Sequence, residues 1–307
     1  MEIKKEENKQ GNLDFNDTKL ILEELEVKIQ DLFKSEDYLN FLQKMSLLHD
    51  YSFNNILLIL MQNPEASMIA SYTTFNQMHR RVKKGSKALK IICPCPVKKT
   101  KKVESKDSNG NTTMEEIEEN RTYFRVGNVF DVSQTYPIDE QGEIKSFTTE
   151  LSLDSEFLQN LILNIKKSQP IPINYDKSLK ENSANGYYKI DSKEIYLKEG
   201  MSNLQELKTL IHELAHHYQH EKYQKLIKDF NRNDLEVSAE STAYVVFNML
   251  KDFYGVDAID SSAYSVGYVA SWSKDKELKE LKTTLTLISK ISNDLFKVIS
   301  TAIPKVN

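Results

Sequence analysis

Apolar residues return every three or four positions between Thr18 and about His49: Ile21, Leu22, Leu25, Ile29, Leu32 and Phe33, then Tyr38, Phe41, Leu42, Met45 and Leu48. That period marks one face of an α-helix. The polar break Ser35-Glu36-Asp37, with Ser35 as N-cap, divides the stretch into two helices. A third helix is expected over Phe53–Gln62, stopping short of Pro64, because a proline pushes the residue before it out of the helical region. The pattern then changes. Residues 88–97, ALKIICPCPV, are rich in β-formers and predict a strand whose end Pro94 and Pro96 confine to a sheet edge. Residues 98–120 are charged and carry an Asn109-Gly110 turn signal, so a long mobile hairpin is expected there. The chain should return as one or two strands over Arg121–Thr135.

A polar stretch at about Pro137–Glu150 is the best domain boundary. Beyond it the pattern predicts a helix over 155–167 and strands near 171–175, 186–190 and 194–197. The last two form a hairpin through Asp191-Ser192-Lys193. Helices follow at about 203–225, 234–254 and 276–301, and no internal repeat is found. The 307 residues suit two domains of roughly 100–200 residues each. The expected division is a disordered tail at 1–14, a domain at 15–137, a linker at 138–152 and a second domain at 153–307. Both domains read as α+β.

Composition narrows the class without naming a partner. With 39% hydrophobic and 28% charged residues, the chain is an ordinary globular protein rather than a fibrous or disordered one. The first residues are polar, with no apolar core of a secretory signal. The longest apolar run, Ile56–Met61, is too short to cross a bilayer. Two cysteines, Cys93 and Cys95, are too few for a disulfide framework. They are two apart on a strand, so they share a face and are expected to pack as small apolar groups. A cytoplasmic protein with no membrane contact is expected.

The net charge of −4 hides a local excess. Residues 79–102 hold ten Lys/Arg and no acid, flanked by Tyr72, Phe75, Tyr123, Phe124 and Phe130. Cations track phosphates and aromatic faces stack on unpaired bases, a combination suited to single-stranded nucleic acid. A solvated lysine-rich loop beside core aromatics would have the same composition.

The sharpest pattern is IHELAHHYQH, residues 211–220. Ser202 and Gln205 make a capping-box pair, and Leu207, Leu210, Ile211 and Leu214 form an apolar stripe, so the segment is a helix. His212 and His216 are four apart on it, close enough to share one cation. Glu213, beside them, is placed to act as general base on a water at that cation. His217 points about 100° away from His216, and His220 lies too far along the axis from His212 to share a cation. Both are expected at the surface or behind the ligands.

A catalytic zinc usually takes a third protein ligand. The HExxHxxGxxH class is excluded because Gln219 and Lys222 stand at its glycine and last histidine positions. The other class draws a glutamate from a later helix, and DLEVSAESTAYVVFNML offers Glu236 and Glu240, four apart on one face. Ala239 and Ala243 allow close packing there. Glu236 is assigned to the metal and Glu240 to a hydrogen bond behind a ligand histidine; the spacing also fits the exchange of the two. The strand at 186–190 or the one at 194–197 would line the cleft and hold an extended peptide. Tyr264 and Tyr268 are the candidates for stabilising an oxyanion.

Both halves resemble a known family. YSFNNILLILMQNP, SYTTFNQMHRRVKKGSKALKI and YFRVGNVFDVSQT resemble the N-terminal domain of the ArdC family of antirestriction proteins. HELAHHYQH with EVSAESTAYVV is similar to the zincin-like (gluzincin) metallopeptidase domain that follows it there, and to the ImmA/IrrE metallopeptidases. The resemblance implies Zn²⁺ as cofactor, single-stranded DNA as partner, an unknown protein substrate and a role on mobile elements against host restriction. By position it implies DNA contacts at Asn55, Thr74, Gln77, Lys84, Gly85 and Lys87, to which the basic segment adds Arg80 and Arg81. The alternative is an ImmA-like protease whose basic half docks a repressor.

Overall fold

The computed structural model describes residues 18–33, 37–106, 112–144, 155–179, 184–254, 269 and 272–303. The expected tail, the Ser35 cap, the Asn109-Gly110 turn, most of the linker, and Tyr264 and Tyr268 lie outside them. Contacts gather the chain into two units: one is the chain up to Leu25 with Leu58–Gln141, the other Glu26–Leu57 with Gly142–Asn307. The grouping therefore does not follow a single cut at the polar stretch. Helix α2 (Asp37–Leu47) belongs with the C-terminal residues because it packs on α7 (Arg232–Tyr254). Tyr38 Oη lies 2.9 Å from Ser241 Oγ, and Ser46 Oγ donates to Asp252 at 2.9 Å. Helices α1 (Thr18–Leu32) and α3 (Phe53–Gln62) begin and stop where the apolar period does.

The first unit is built on a long ribbon. Strand β3 (Leu89–Lys106) pairs antiparallel with β4 (Thr112–Asp131) from Leu89↔Val129 to Lys106↔Thr112. The expected short strand and hairpin are thus one continuous ladder, and Pro94 and Pro96 stand inside it rather than at its end. They are tolerated because β3 is the outer strand of the order β1-β4-β3. The Gln62 side chain shows which way the alternate amides point: it accepts from Lys90 N at 2.8 Å and donates to Lys90 O at 2.9 Å. Even-numbered residues of β3 therefore turn their N–H groups away from β4, and a proline at 94 or 96 removes no ladder bond.

The shorter pieces are β1 (Ile69–Ala70), α4 (Tyr72–Gln77), β2 (Arg80–Val82) and β5 (Thr135–Pro137). Runs of two to six residues show too little periodicity to be read from sequence. Asp131 ends β4 by capping the 3₁₀ turn Val132–Gln134, and it also accepts from Ser67 N.

In the second unit, α5 (Ser155–Ser168), α6 (Asn203–Glu221), α7 and α8 (Leu278–Ala302) surround one apolar core. A small sheet in the order β6-β8-β7 closes it: β6 (Ile173–Asp176), β8 (Glu194–Lys198) and β7 (Gly186–Lys189). Ile195 and Leu197 of β8 are fully buried beneath the helices. β8 has neighbours on both sides, so of the two strands expected at a cleft it is β7 that lies at the edge of the sheet among the described residues. Helix α6 starts where Ser202 Oγ accepts from Gln205 N. The Gln205 side chain turns to Thr209 Oγ1 instead of returning to the cap. Helix α7 starts two residues earlier than its apolar pattern, because Asn231 and Asp234 cap it reciprocally. Ala239 and Ala243 are buried in the core, as close packing of α6 and α7 requires. Among the described residues no helix is long and apolar enough to cross a membrane.

Candidate metal centre

Four residues converge between α6 and α7. His212 and His216 project one helical turn apart from α6, and Glu236 and Glu240 one turn apart from α7. His212 Nε2 lies 3.2 Å from His216 Nε2, and Glu236 Oε2 lies 3.5 Å from each. Three atoms at these separations have a common centre about 2.0 Å from each, the bond length of zinc to imidazole nitrogen or carboxylate oxygen. A mixed nitrogen and oxygen set of this size fits a divalent cation, and among the described residues it is the group of this kind that the structure brings together. Glu240 sits behind it, with Oε2 3.1 Å from His212 Nδ1. Behind the other histidine stands Gln219, its Oε1 2.9 Å from His216 Nδ1.

The electrostatics follow from this crowding. Burial alone would depress the His212 imidazole; hydrogen bonds to Glu236 and Glu240, with the Glu213 charge, override it and lift its pKa to about 10. Hydrogen bonds to His212 and His216 hold the Glu236 carboxyl far below the usual carboxylate range. Glu240 is lowered by its bond to His212. Glu213 goes the other way: burial raises it, and the histidine charges and a backbone N–H from Tyr188 only partly offset that. A carboxyl raised by burial next to a cation site suits proton transfer near neutral pH.

The site opens into a cleft of about 970 Å³, with Gly186, Tyr187 and Tyr188 of β7 on one side and Arg232 and Glu236 on another. His217 is not at the surface: it is buried against Tyr188, with Nδ1 3.3 Å from the phenol oxygen. His220 lines the cleft and stacks on the same ring. Tyr188 itself is raised to about 12 by burial and by Glu221. The sequence brings in Gln219 only to exclude the HExxHxxGxxH class and does not point to Tyr188. Gln219 had one signal, a polar residue three positions after His216; the role of Tyr188 runs through its backbone and leaves none.

In the first unit, Thr74 and Gln77 are exposed on α4, which packs beside β2. Thr74 also serves the helix start, since Ser71 Oγ accepts its N–H at 3.0 Å. Arg81 is exposed opposite Tyr136 in the β2–β5 pair. Lys84 and Gly85 occupy the centre of a turn closed by Ser86 N to Lys83 O. Gly85 has φ +89°, the left-handed value that the third residue of a type II turn needs. Lys87 follows, exposed, with its carbonyl held by Gln134. Arg80 is placed otherwise: its side chain is buried and its Nε donates to Thr135 Oγ1 at 2.8 Å. Asn55 is half-buried on the part of α3 that groups with the other unit. Of the flanking aromatics Tyr72, Tyr123 and Phe124 are exposed, whereas Phe75 is core. Register also redistributes the charge. Lys99 and Lys102 stand opposite Glu119 and Glu116 in the ladder, Lys101 stands opposite Ile117, and Lys98 pairs with Glu118 at 3.1 Å.

Two segments of the chain match models of known domains. Residues 16–130 match the N-terminal domain of anti-restriction factor ArdC, and residues 166–243 match the IrrE N-terminal-like domain of the M78 peptidase family. The chain is ArdC-like. Its ArdC-like fold is shared with the Mn(II)-bound crystal structure of the antirestriction ArdC protein from plasmid R388, at a TM-score of 0.51 and 15% identity over 93% of this chain and 98% of that one. The metal-free crystal structure of the same protein aligns at a TM-score of 0.47 and 17% identity over 82% and 86%. A curated relative, an uncharacterized protein of Bacillus anthracis, is 26% identical over 94% of this chain. The ArdC-like chain spans 52% of that relative's length.

Proposed function

We propose that this ArdC-like protein is a divalent-metal hydrolase of peptide bonds joined to a single-stranded DNA-binding unit, acting in the cytoplasm to protect incoming mobile-element DNA from restriction. The observation that supports it most is the compact triangle of His212, His216 and Glu236 with Glu213 beside it. A cation there, zinc by the donor set, would supply Lewis acidity, polarising a carbonyl and lowering a water's pKa to about 7. His212, His216 and Glu236 would hold it. Glu213 takes the proton from the attacking water and returns it to the leaving amine, a role that its raised pKa favours. The edge of β7, apart from the Tyr188 N–H that Glu213 takes, offers main-chain groups along which an extended peptide can lie. Thr74, Gln77, Arg81, Lys84, Gly85 and Lys87, with the exposed aromatics, are the contacts proposed for DNA.

The match to the IrrE-like domain favours a second reading, a regulatory protease whose basic unit docks a repressor. Salt-dependent binding to single-stranded oligonucleotides belongs to the first reading and is absent in the second. For the enzyme itself the test is Glu213→Gln. Peptide-library hydrolysis should fall about 10²–10⁴-fold while metal content, by elemental analysis, stays at the parent level. A parent that hydrolyses nothing, or a variant that matches it, overturns the enzymatic reading and leaves a structural metal.

A further inference from the structure

Resting on the reading of His212, His216 and Glu236 as a metal site, we infer that Gln219 is a positioning residue that fixes which nitrogen of His216 faces that site. Gln219 is fully buried, and its three polar contacts leave its amide one orientation. One end lies 3.0 Å from the Leu235 carbonyl, an acceptor only, and 2.7 Å from Ser238 Oγ. The Ser238 hydroxyl already gives its own hydrogen to the Leu235 carbonyl, so towards Gln219 it can only accept. Two acceptors at that end require the NH₂ group there. The carbonyl oxygen therefore faces His216 Nδ1 at 2.9 Å, and because it cannot donate, Nδ1 must carry the imidazole hydrogen. The lone pair is left on Nε2, the atom in the ligand triangle.

At His212 a carboxylate holds the corresponding place, with Glu240 Oε2 3.1 Å from Nδ1. The difference has a reason in charge. Glu213, Glu236 and Glu240 already crowd the site, and a neutral amide orients the second histidine without adding a fourth carboxylate. The same side chain also ties α6 to the first turn of α7, one residue before Glu236. Gln219 thus sets the ring of one ligand and holds the helix of another.

The imidazoles of the full chain, labelled with ¹⁵N at histidine, report the tautomer directly at mildly alkaline pH without added metal. His216 should be the Nδ1–H form, and Gln219→Leu should move it towards Nε2–H. Zinc affinity, measured by chelator competition, should fall about 10–100-fold in that variant. Ser238→Ala removes one acceptor but leaves Leu235 to orient the amide, so it should keep the tautomer. An Nε2–H His216 in the unsubstituted chain overturns the inference; so does a Gln219→Leu variant with native tautomer and affinity. Should Gln219→Leu fail to fold, the unsubstituted chain decides. Should the chain bind no zinc at all, the metal reading fails while the tautomer still tests Gln219.

Discussion

Glu240 Oε2 meets His212 at 3.1 Å through Nδ1, the ring nitrogen that points away from Glu236 and His216. A carboxylate there orients the ring and raises its basicity without occupying a ligand position. Glu240→Ala should therefore weaken zinc or manganese binding about 10–100-fold. Glu236→Ala removes a ligand atom and should cost more. Calorimetric titration of both variants checks the order, and a reversed order would exchange the two roles.

Loss of cations from the ribbon should behave differently from their loss at β2 and the turn after it. Arg81→Glu with Lys84→Glu should lower affinity for a single-stranded oligonucleotide and flatten its salt dependence, by about 0.7 in log–log slope per lost phosphate contact. Lys98→Ala with Lys99→Ala should change the slope little, because Lys98 is paired with Glu118 and Lys99 stands opposite Glu119 in the ladder. Equal effects of the two pairs would mean that the whole basic run tracks the strand.

Asp234 accepts from Lys276 at 2.6 Å and Trp272 Nε1 at 2.7 Å, with almost no exposure of its own. Removing one partner of a buried pair strands the other. Asp234→Ala should cost about 3 kcal/mol in a denaturant titration, the low end of the range because Glu280 also reaches Lys276. Lys98→Ala, on an exposed pair, should cost well under about 1 kcal/mol.

Asp252 gives a pH signature. Burial raises its carboxyl, and the Ser46 hydroxyl only partly offsets this. A carboxyl raised in the folded state binds its proton more tightly there than in the unfolded chain. Stability therefore falls as pH rises from the unfolded pKa through the folded one. Asp252→Asn removes that loss and can still accept from Ser46. It should melt higher than the parent at neutral pH, and the advantage should vanish below about pH 4. A lower melting point at neutral pH would show that the Ser46 bond outweighs burial.

Where periodicity is long, the sequence reading and the structure coincide: α2, α3, α6 and α7 fall within a few residues of their apolar stripes. The spacing of His212, His216, Glu236 and Glu240 was legible because an α-helix turns a four-residue gap into one face. Three things were not legible. Short pieces such as α4 and β2 have no measurable period. The grouping of α2 with the C-terminal residues depends on tertiary contacts such as Tyr38 to Ser241. Gln219 enters the sequence reading only as the residue that excludes the HExxHxxGxxH class, because its partners, the Leu235 carbonyl and Ser238, come from another helix.

The outward-turned amides of β3 have one more consequence. An outer strand normally presents a row of unpaired N–H groups, a template on which a second chain can add and on which fibrils grow. Here the row is interrupted: Lys90 is occupied by Gln62, and positions 94 and 96 have no N–H to offer. Beyond them a foreign strand would have to settle among closely spaced lysines. Replacing both prolines with valine would leave the ladder to β4 intact while opening this margin to self-association, so the two prolines guard solubility rather than fold.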